Sequence, residues 1–352
     1  MKAIRYYGKE DVRLDDIEEP MTLPGTVKIK PAWTGLCGSD LHLYYDGIMP
    51  PAPSATEPHP LSGETLPVVF GHEFSGVVEE LGDGVEGLAI GDHVVVEPLI
   101  VCDDCPACKE GNYNVCQKMG FIGISGNGGG LSEHIVVERR WVHPVGDLPL
   151  DEAALIEPLA VALHGVRGVD VKAGDVAVVG GAGPIGLLTA AVLKAFGVTT
   201  IVSEVSQIRR DIAAKLGVGD HIIDPTQTDL VAKVYELTGG AGANVAFDCA
   251  GVQPVFDALQ LSLKARGQLQ ILALYTETPQ LNFSNMLFKE LKVSASLGYA
   301  HDHGPAIELV REGKIDLAPF ITARISAQNI AVDGYEFLVN NKESQVKVIA
   351  QM

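Results

Sequence analysis

The sequence predicts an α/β protein: a mainly β domain joined to a doubly wound, six-stranded parallel sheet. Two observations carry this. The first 150 residues break into short β-branched runs separated by Gly and Pro, with no long amphipathic helix. From about Glu157 onward, apolar runs of strand length alternate with helical stretches. Those strands are apolar throughout, as strands covered on both faces should be.

Taken in order, Val27-Lys28-Ile29-Lys30 alternates with period two, and Val94–Val96 and Ile135–Val137 are brief β-branched runs. The stretch Tyr44–Pro67 is rich in Pro, Ser and Gly and reads as a long loop. A loop of that length in a compact domain is usually functional or mobile. Strands are then predicted at Val176–Val179, Ile201–Ser203, His221–Asp224, Val245–Asp248, Gln268–Leu272 and Val293–Ser296. Helices fall at Pro184–Phe196, ended by Gly197, at Arg209–Leu216, ended by Gly217, and at Pro305–Glu312. The last fifty residues return to a β-rich pattern and end in Val346–Ala350, a strand expected to rejoin the first domain. The domains so predicted are 1–157, 158–297 and 298–352, the last belonging with the first.

The chain of 352 residues suffices for two domains, and its 47% hydrophobic content supports a sizeable core. A formal charge of −19 argues against nucleic acid or an anionic membrane as partner, since both would be repelled. No apolar run reaches the roughly 18 residues needed to span a bilayer. Met1–Asp11 lacks the apolar segment of a signal peptide, so a cytoplasmic address is expected. Four of the six cysteines lie between Cys102 and Cys116, which in a reducing compartment suggests metal over disulfides.

Gly181-Ala182-Gly183-Pro184-Ile185-Gly186 is a GxGxxG element, directly after an apolar strand and opening a helix. In that context it marks a Rossmann dinucleotide site. Gly181 permits the tight turn, Gly183 lets the backbone approach a pyrophosphate, and Gly186 allows close helix–strand packing. The helix N-terminus offers unpaired N–H groups to the phosphates. Glu204 ends the second strand, 18 residues after Gly186. An acid there accepts hydrogen bonds from both ribose hydroxyls and repels a 2′-phosphate, which favours NAD over NADP. Arg209 and Arg210 are the counter-argument; the simpler reading puts one near the adenosine and one in solvent.

Cys102-x2-Cys105-x2-Cys108-x7-Cys116 is a four-thiolate set on one short loop. Four thiolates close a tetrahedral zinc and leave no position for substrate, so this site is structural. A second set comes from separated segments: Cys37-Gly38-Ser39-Asp40-Leu41-His42, Gly71-His72-Glu73 and Glu157-Pro158. A thiolate, an imidazole and carboxylates could hold zinc and leave a position open. Such a zinc would act as a Lewis acid on an alcohol or ketone. Cys249 matches neither set and reads as packing at a strand end.

These motifs, in this order and end to end, resemble the zinc-containing medium-chain alcohol and polyol dehydrogenases. The resemblance implies a GroES-like catalytic domain beside the coenzyme domain, with two zincs per chain. It implies that Cys37, His72 and either Glu73 or Glu157 bind the catalytic zinc. Ser39 and His42 match positions that relay the alcohol proton to solvent, while Asp40 is a structural hydrogen-bonder. Ile185, Glu204 and Arg209 would line the adenosine half of the NAD site. Leu272–Leu274 and Leu297–Tyr299 would contact the nicotinamide half, largely through backbone. Homodimers or homotetramers are also implied.

Within the family the segments Gly47–Pro67, Gly120–Gly123 and Gly128–Gly130 look most like the (R,R)-2,3-butanediol dehydrogenases. Sorbitol dehydrogenases place an aromatic residue where Leu43 stands and an arginine in the segment of Gly298. Their absence favours a short vicinal diol over a long polyol. The expected reaction is therefore reversible oxidation of the (R,R)-diol to acetoin, with diacetyl and related hydroxyketones as substrates for reduction. A sorbitol, polyol or other secondary-alcohol dehydrogenase is the competing enzyme. A non-catalytic zinc-binding scaffold is the competing class, disfavoured by the charge and the second zinc set.

Overall fold

In the computed structural model, which describes residues 1–352, strand Thr26–Gly35 organises the first of two units. That unit comprises Met1–Glu157 and Leu317–Met352; the second is Pro158–Asp316. Thr26–Gly35 pairs antiparallel with Glu73–Leu81, with Ile135–Glu138 and with the final strand Lys347–Gln351. The chain end thus rejoins the first unit, as its β-branched run suggested. His93–Val96 and Val142–Pro144 extend the sheet on one side and Ile321–Ser326 on the other. Lys2–Gly8 heads a separate sheet with Asp11–Asp16 and Val68–Val69.

Two helical segments here escaped the period-two reading. Helix Gly38–Asp46 buries Asp40, Leu43 and Tyr44, a single face at i, i+3, i+4. One of the three is acidic, so its stripe is not visible as hydrophobic. Residues 327–340, expected to be β-rich, form short helical pieces that include a π-helix at Ala331–Glu336. Their buried members Ile330, Tyr335 and Leu338 fall five and three residues apart, an irregular spacing that shows no clean period.

The loop Gly47–Pro67 has no regular structure but is anchored. Ser62 Oγ donates to Ser125 O at 2.6 Å, and Asn127 N donates to Glu64 Oε1 at 2.6 Å. Ser125 Oγ donates to Pro51 O at 3.1 Å. The loop is thereby bonded to Ser125 and Asn127, which lie between the glycine-bearing runs Gly120–Gly123 and Gly128–Gly130.

The second unit holds six strands, every pair parallel. In space they run His221–Ile223, Thr199–Ser203, Val176–Gly180, Ala243–Asp248, Leu263–Ile271, Lys292–Ala295. The order reverses between Val176–Gly180 and Ala243–Asp248, and ligands of such sheets bind beyond the carboxyl ends at that switch. Strand Leu263–Ile271 starts before the expected Gln268, because Leu263 already pairs with Ala243 ahead of a register shift. The return to the first unit comes at Leu317 where 298 was expected. Helix His303–Arg311 buries Ala306, Ile307 and Val310 and stays with the second unit. Asp302 at its start is held by His164 Nδ1 at 2.7 Å and Arg167 Nη1 at 2.6 Å. No helix is long and apolar enough to cross a membrane.

Candidate metal and coenzyme sites

Strand register assembles the first site. Gly35 pairs with Glu73 across the antiparallel ladder. The turn after Gly35 therefore sets Cys37 beside His72, which precedes Glu73. Cys37 caps helix Gly38–Asp46, and its backbone N donates to Asp40 Oδ2 at 2.9 Å. One donor atom each of Cys37, His72 and Glu73 lie within 4.8 Å of one another. Ser39 Oγ stands 3.4 Å from His72 Nε2, and Asp40 Oδ1 stands 3.4 Å from His72 Nδ1. Glu157, in the first turn of helix Ile156–Arg167, is buried as well. His42 lies on the exposed side of its helix, with Nδ1 2.8 Å from Asp46 Oδ2. Phe121 flanks the site, its ring centroid 6.3 Å from that of His72.

The charges of this pocket call for a cation. Asp40, Glu73 and Glu157 are all buried. Burial pulls the His72 pKa down, yet Asp40 and Cys37 outweigh it and draw the value well above 6.5. Asp40 Oδ1 and His72 Nδ1, 3.4 Å apart, have no partner besides each other. A divalent metal on the thiolate and imidazole would supply the positive charge that the histidine otherwise takes as a proton. The donor set fits zinc.

Sequence reading missed Lys347. Its side chain is 3% exposed, and Nζ donates to Glu73 Oε1 at 2.7 Å and to Leu36 O at 3.3 Å. Burial lowers its pKa, but the charges of Glu73, Cys37 and Glu157 together raise it, so the ammonium stays charged. A lysine inside the apolar run Val346–Ala350 was the available signal, since a charge in a buried strand needs a partner.

The second donor set is local. Cys102, Cys105, Cys108 and Cys116 present their sulfurs within 4.8 Å of one another, and all are free thiols. Sγ of Cys105 and Cys108 are 3.5 Å apart, and those of Cys116 and Cys102 3.4 Å. Backbone N–H groups of Cys102 and Lys118 donate to Cys116 Sγ at 3.3 and 3.4 Å. Backbone hydrogen bonds from Gln117 and Cys108 bring the Cys105 thiol down to about 6, whereas burial pushes Cys108 up to about 12. Four convergent sulfurs with N–H donors behind them suit a closed tetrahedral metal.

In the second unit, the three glycines of the turn answer different demands. Gly181 has φ +96°. A Cβ at Gly186 would lie 2.0 Å from Gly181 O, which only glycine avoids. A Cβ at Gly183 would meet nothing within 4 Å. The fold itself therefore does not require glycine at 183, and open space at the N-cap of helix Pro184–Ala195 is what a pyrophosphate needs. Ile185 follows in the first turn. Glu204 Oε2 accepts from Ala182 N at 2.8 Å, and Oε1 from Ser206 N at 2.8 Å. Arg209 Nη1 lies 3.9 Å from Glu204 Oε2. Arg210 is not in solvent as expected: it pairs with Asp224 at 2.8 Å and donates to the carbonyls of Glu204 and Val205.

Leu272, Leu274, Leu297 and Tyr299 all follow the carboxyl ends of the fifth and sixth strands, on the side of the glycine turn. Leu272 fills the space left by Gly165, Leu274 is exposed, and Tyr299 is buried with its ring 4.6 Å from His303. Burial pushes the Cys249 thiol up to about 12, in keeping with packing. Leu43 is 1% exposed and packs among Tyr6, Tyr44 and Leu338. It faces the core, so its identity says nothing about the substrate; Gly298 retains open space at its Cβ position.

Residues 23–147 match the family described as alcohol dehydrogenase GroES-like domain, and residues 184–312 match zinc-binding dehydrogenase. A protein of Neisseria gonorrhoeae named (R,R)-butanediol dehydrogenase is 50% identical over 352 residues, covering 99% of both chains. The crystal structure of 2R,3R-butanediol dehydrogenase from Bacillus subtilis superposes with TM-score 0.93 at 39% identity, covering 100% of this chain and 99% of that one. A structure described as a short chain alcohol dehydrogenase of Escherichia coli complexed with NADH superposes with TM-score 0.88 at 25% identity, covering 100% of this chain and 99% of that one.

Proposed function

The chain belongs to the zinc-binding alcohol dehydrogenase family, and from that premise we propose that it interconverts (R,R)-2,3-butanediol and acetoin with NAD. The observation that carries the substrate is the 50% identity, end to end, with a protein of that name. The anchored loop Gly47–Pro67, bonded to the segment that holds Phe121 beside His72, supports a small substrate with apolar ends.

In this reading Cys37 and His72 hold zinc, with Glu73 or Glu157 as the carboxylate; Glu73 is the one in the donor cluster, and Lys347 competes for it. Zinc there supplies Lewis acidity that lowers the pKa of the substrate hydroxyl. Ser39, at His72 Nε2, accepts that proton and His42, at the surface, passes it to water. NAD+ held by the glycine turn would take the hydride from the alcohol carbon, so that one diol and NAD+ would yield acetoin, NADH and a proton. Asp46 holds the His42 ring for this task. The four-cysteine lobe takes a second, structural zinc. Glu204 favours NAD, and Arg210 is too committed to Asp224 to read a 2′-phosphate.

A homo-oligomer is part of the proposal, as is a cytoplasmic address. Strand Lys292–Ala295 leaves one sheet edge unpaired, next to exposed Phe283, Leu287 and Phe288. A second copy pairing edge to edge would cover both.

Rates with the separate butanediol stereoisomers, sorbitol, glycerol and simple secondary alcohols test the substrate. The burial of Leu43 removes one argument against polyols, so sorbitol is the decisive comparison. Turnover of sorbitol in preference to the (R,R)-diol would overturn the reading.

A further inference from the structure

One buried hydroxyl near the metal site has no assigned task. Tyr335 is 0% exposed, and its OH has no hydrogen-bond partner. An orphaned buried hydroxyl costs about 1–3 kcal/mol, so its retention asks for a reason. It projects from the π-helix Ala331–Glu336, a geometry that is rare and frequent at functional sites. The preceding Gly334 lets this helix approach the catalytic turn: a Cβ there would come within 2.8 Å of Leu36 Cδ1. Leu36 is followed directly by Cys37.

The ring of Tyr335 lies 4.9 Å from that of Tyr44. Tyr44 and Asp40 are four residues apart on helix Gly38–Asp46 and share its buried face. Asp40 Oδ1 is the matching orphan, a buried acceptor without a hydrogen bond. Burial, with Asp40 and Tyr44 adding to it, raises the Tyr335 pKa well above 10, so the phenol keeps its proton and is a donor. Leu36, Leu43 and Leu338 belong to the same buried apolar cluster, where phenylalanine would fill the ring's space equally well. The hydroxyl is the only feature that tyrosine adds.

We propose that Tyr335 is a positioning residue for the metal site: its hydroxyl donates to Asp40 Oδ1 across one trapped water. Asp40 in turn faces His72 Nδ1 at 3.4 Å, leaving Nε2 for the metal. Tyr335 thus fixes the carboxylate that fixes the imidazole. The inference rests on the reading of Cys37 and His72 as zinc ligands.

The test is zinc release from the holoenzyme into excess chromogenic chelator. The four-cysteine lobe supplies one phase as an internal control, and H72A identifies the other by its loss. Y335F should release the His72-bound zinc about tenfold faster and leave the lobe phase unchanged. D40N should also quicken that phase, and Y335F should add nothing in the D40N background. An unchanged rate in Y335F, a speeding that persists in full beside D40N, or a faster lobe phase would each overturn the proposal. If the wild-type protein releases only the lobe zinc, the metal reading itself has failed. If both zincs are present and Y335F matches wild type, only the role of Tyr335 has.

Discussion

Lys347 Nζ lies 2.7 Å from Glu73 Oε1, with both side chains almost wholly inside the protein, at 3% and 1% exposure. The pair joins the last strand to the strand that opens with Glu73. Removing the lysine alone would strand a buried charge. K347M should therefore lose about 3–5 kcal/mol of stability, and E73Q in the same chain should restore much of it. Urea unfolding at pH 7 measures both. A K347M protein as stable as wild type would show that Glu73 is not held this way.

Cys116 belongs to a site proposed to act on structure rather than chemistry. C116S should lose one zinc per chain. A cost of about 2 kcal/mol or more would lower the thermal midpoint by roughly 4–8 °C for a unit of this size. The kcat/KM of the protein that remains folded should stay near wild type. A large fall in kcat with an unchanged midpoint would reverse the assignment of the two sites.

Glu204, directly after the second strand, holds Ala182 N and Ser206 N. E204A should narrow the proposed preference for NAD over NADP by on the order of tenfold, the worth of a charged hydrogen bond to a ribose hydroxyl. Paired titrations with the two reduced coenzymes read this directly. An unaltered ratio would mean that other residues read the ribose.

Asp302 gives a pH dependence. Burial raises its pKa, but His164 and Arg167 outweigh burial and hold it below the usual carboxylate value. A depressed folded-state pKa adds stability above the unfolded value, near 3.9, that is lost as pH falls through the folded value. D302N should be about 1–3 kcal/mol less stable than wild type at pH 7. The gap should begin to shrink as the pH falls below about 4 and close only once it has passed below the depressed folded-state value. A gap independent of pH would show that shape, and not charge, explains the conservative variant's loss.

What the sequence determined by itself lies in features whose partners are close along the chain. The glycine turn between Val176–Gly180 and its helix, the four cysteines of one loop and the βα alternation are of this kind. Steric limits and metal-ligand spacing act over a few residues, so the residues alone announce them. Helix Gly38–Asp46 and the π-helix were harder, because a buried Asp40 and an irregular apolar spacing blur the period. The meeting of Cys37 with His72 depended on the register that sets Gly35 opposite Glu73. Lys347 reaches Glu73 across 274 residues, through the pairing of the last strand. Register and closure are set by how a whole sheet buries its apolar faces. Only the tertiary structure could therefore decide which charges share the pocket, and that Leu43 faces the core while Tyr335 faces Asp40's helix.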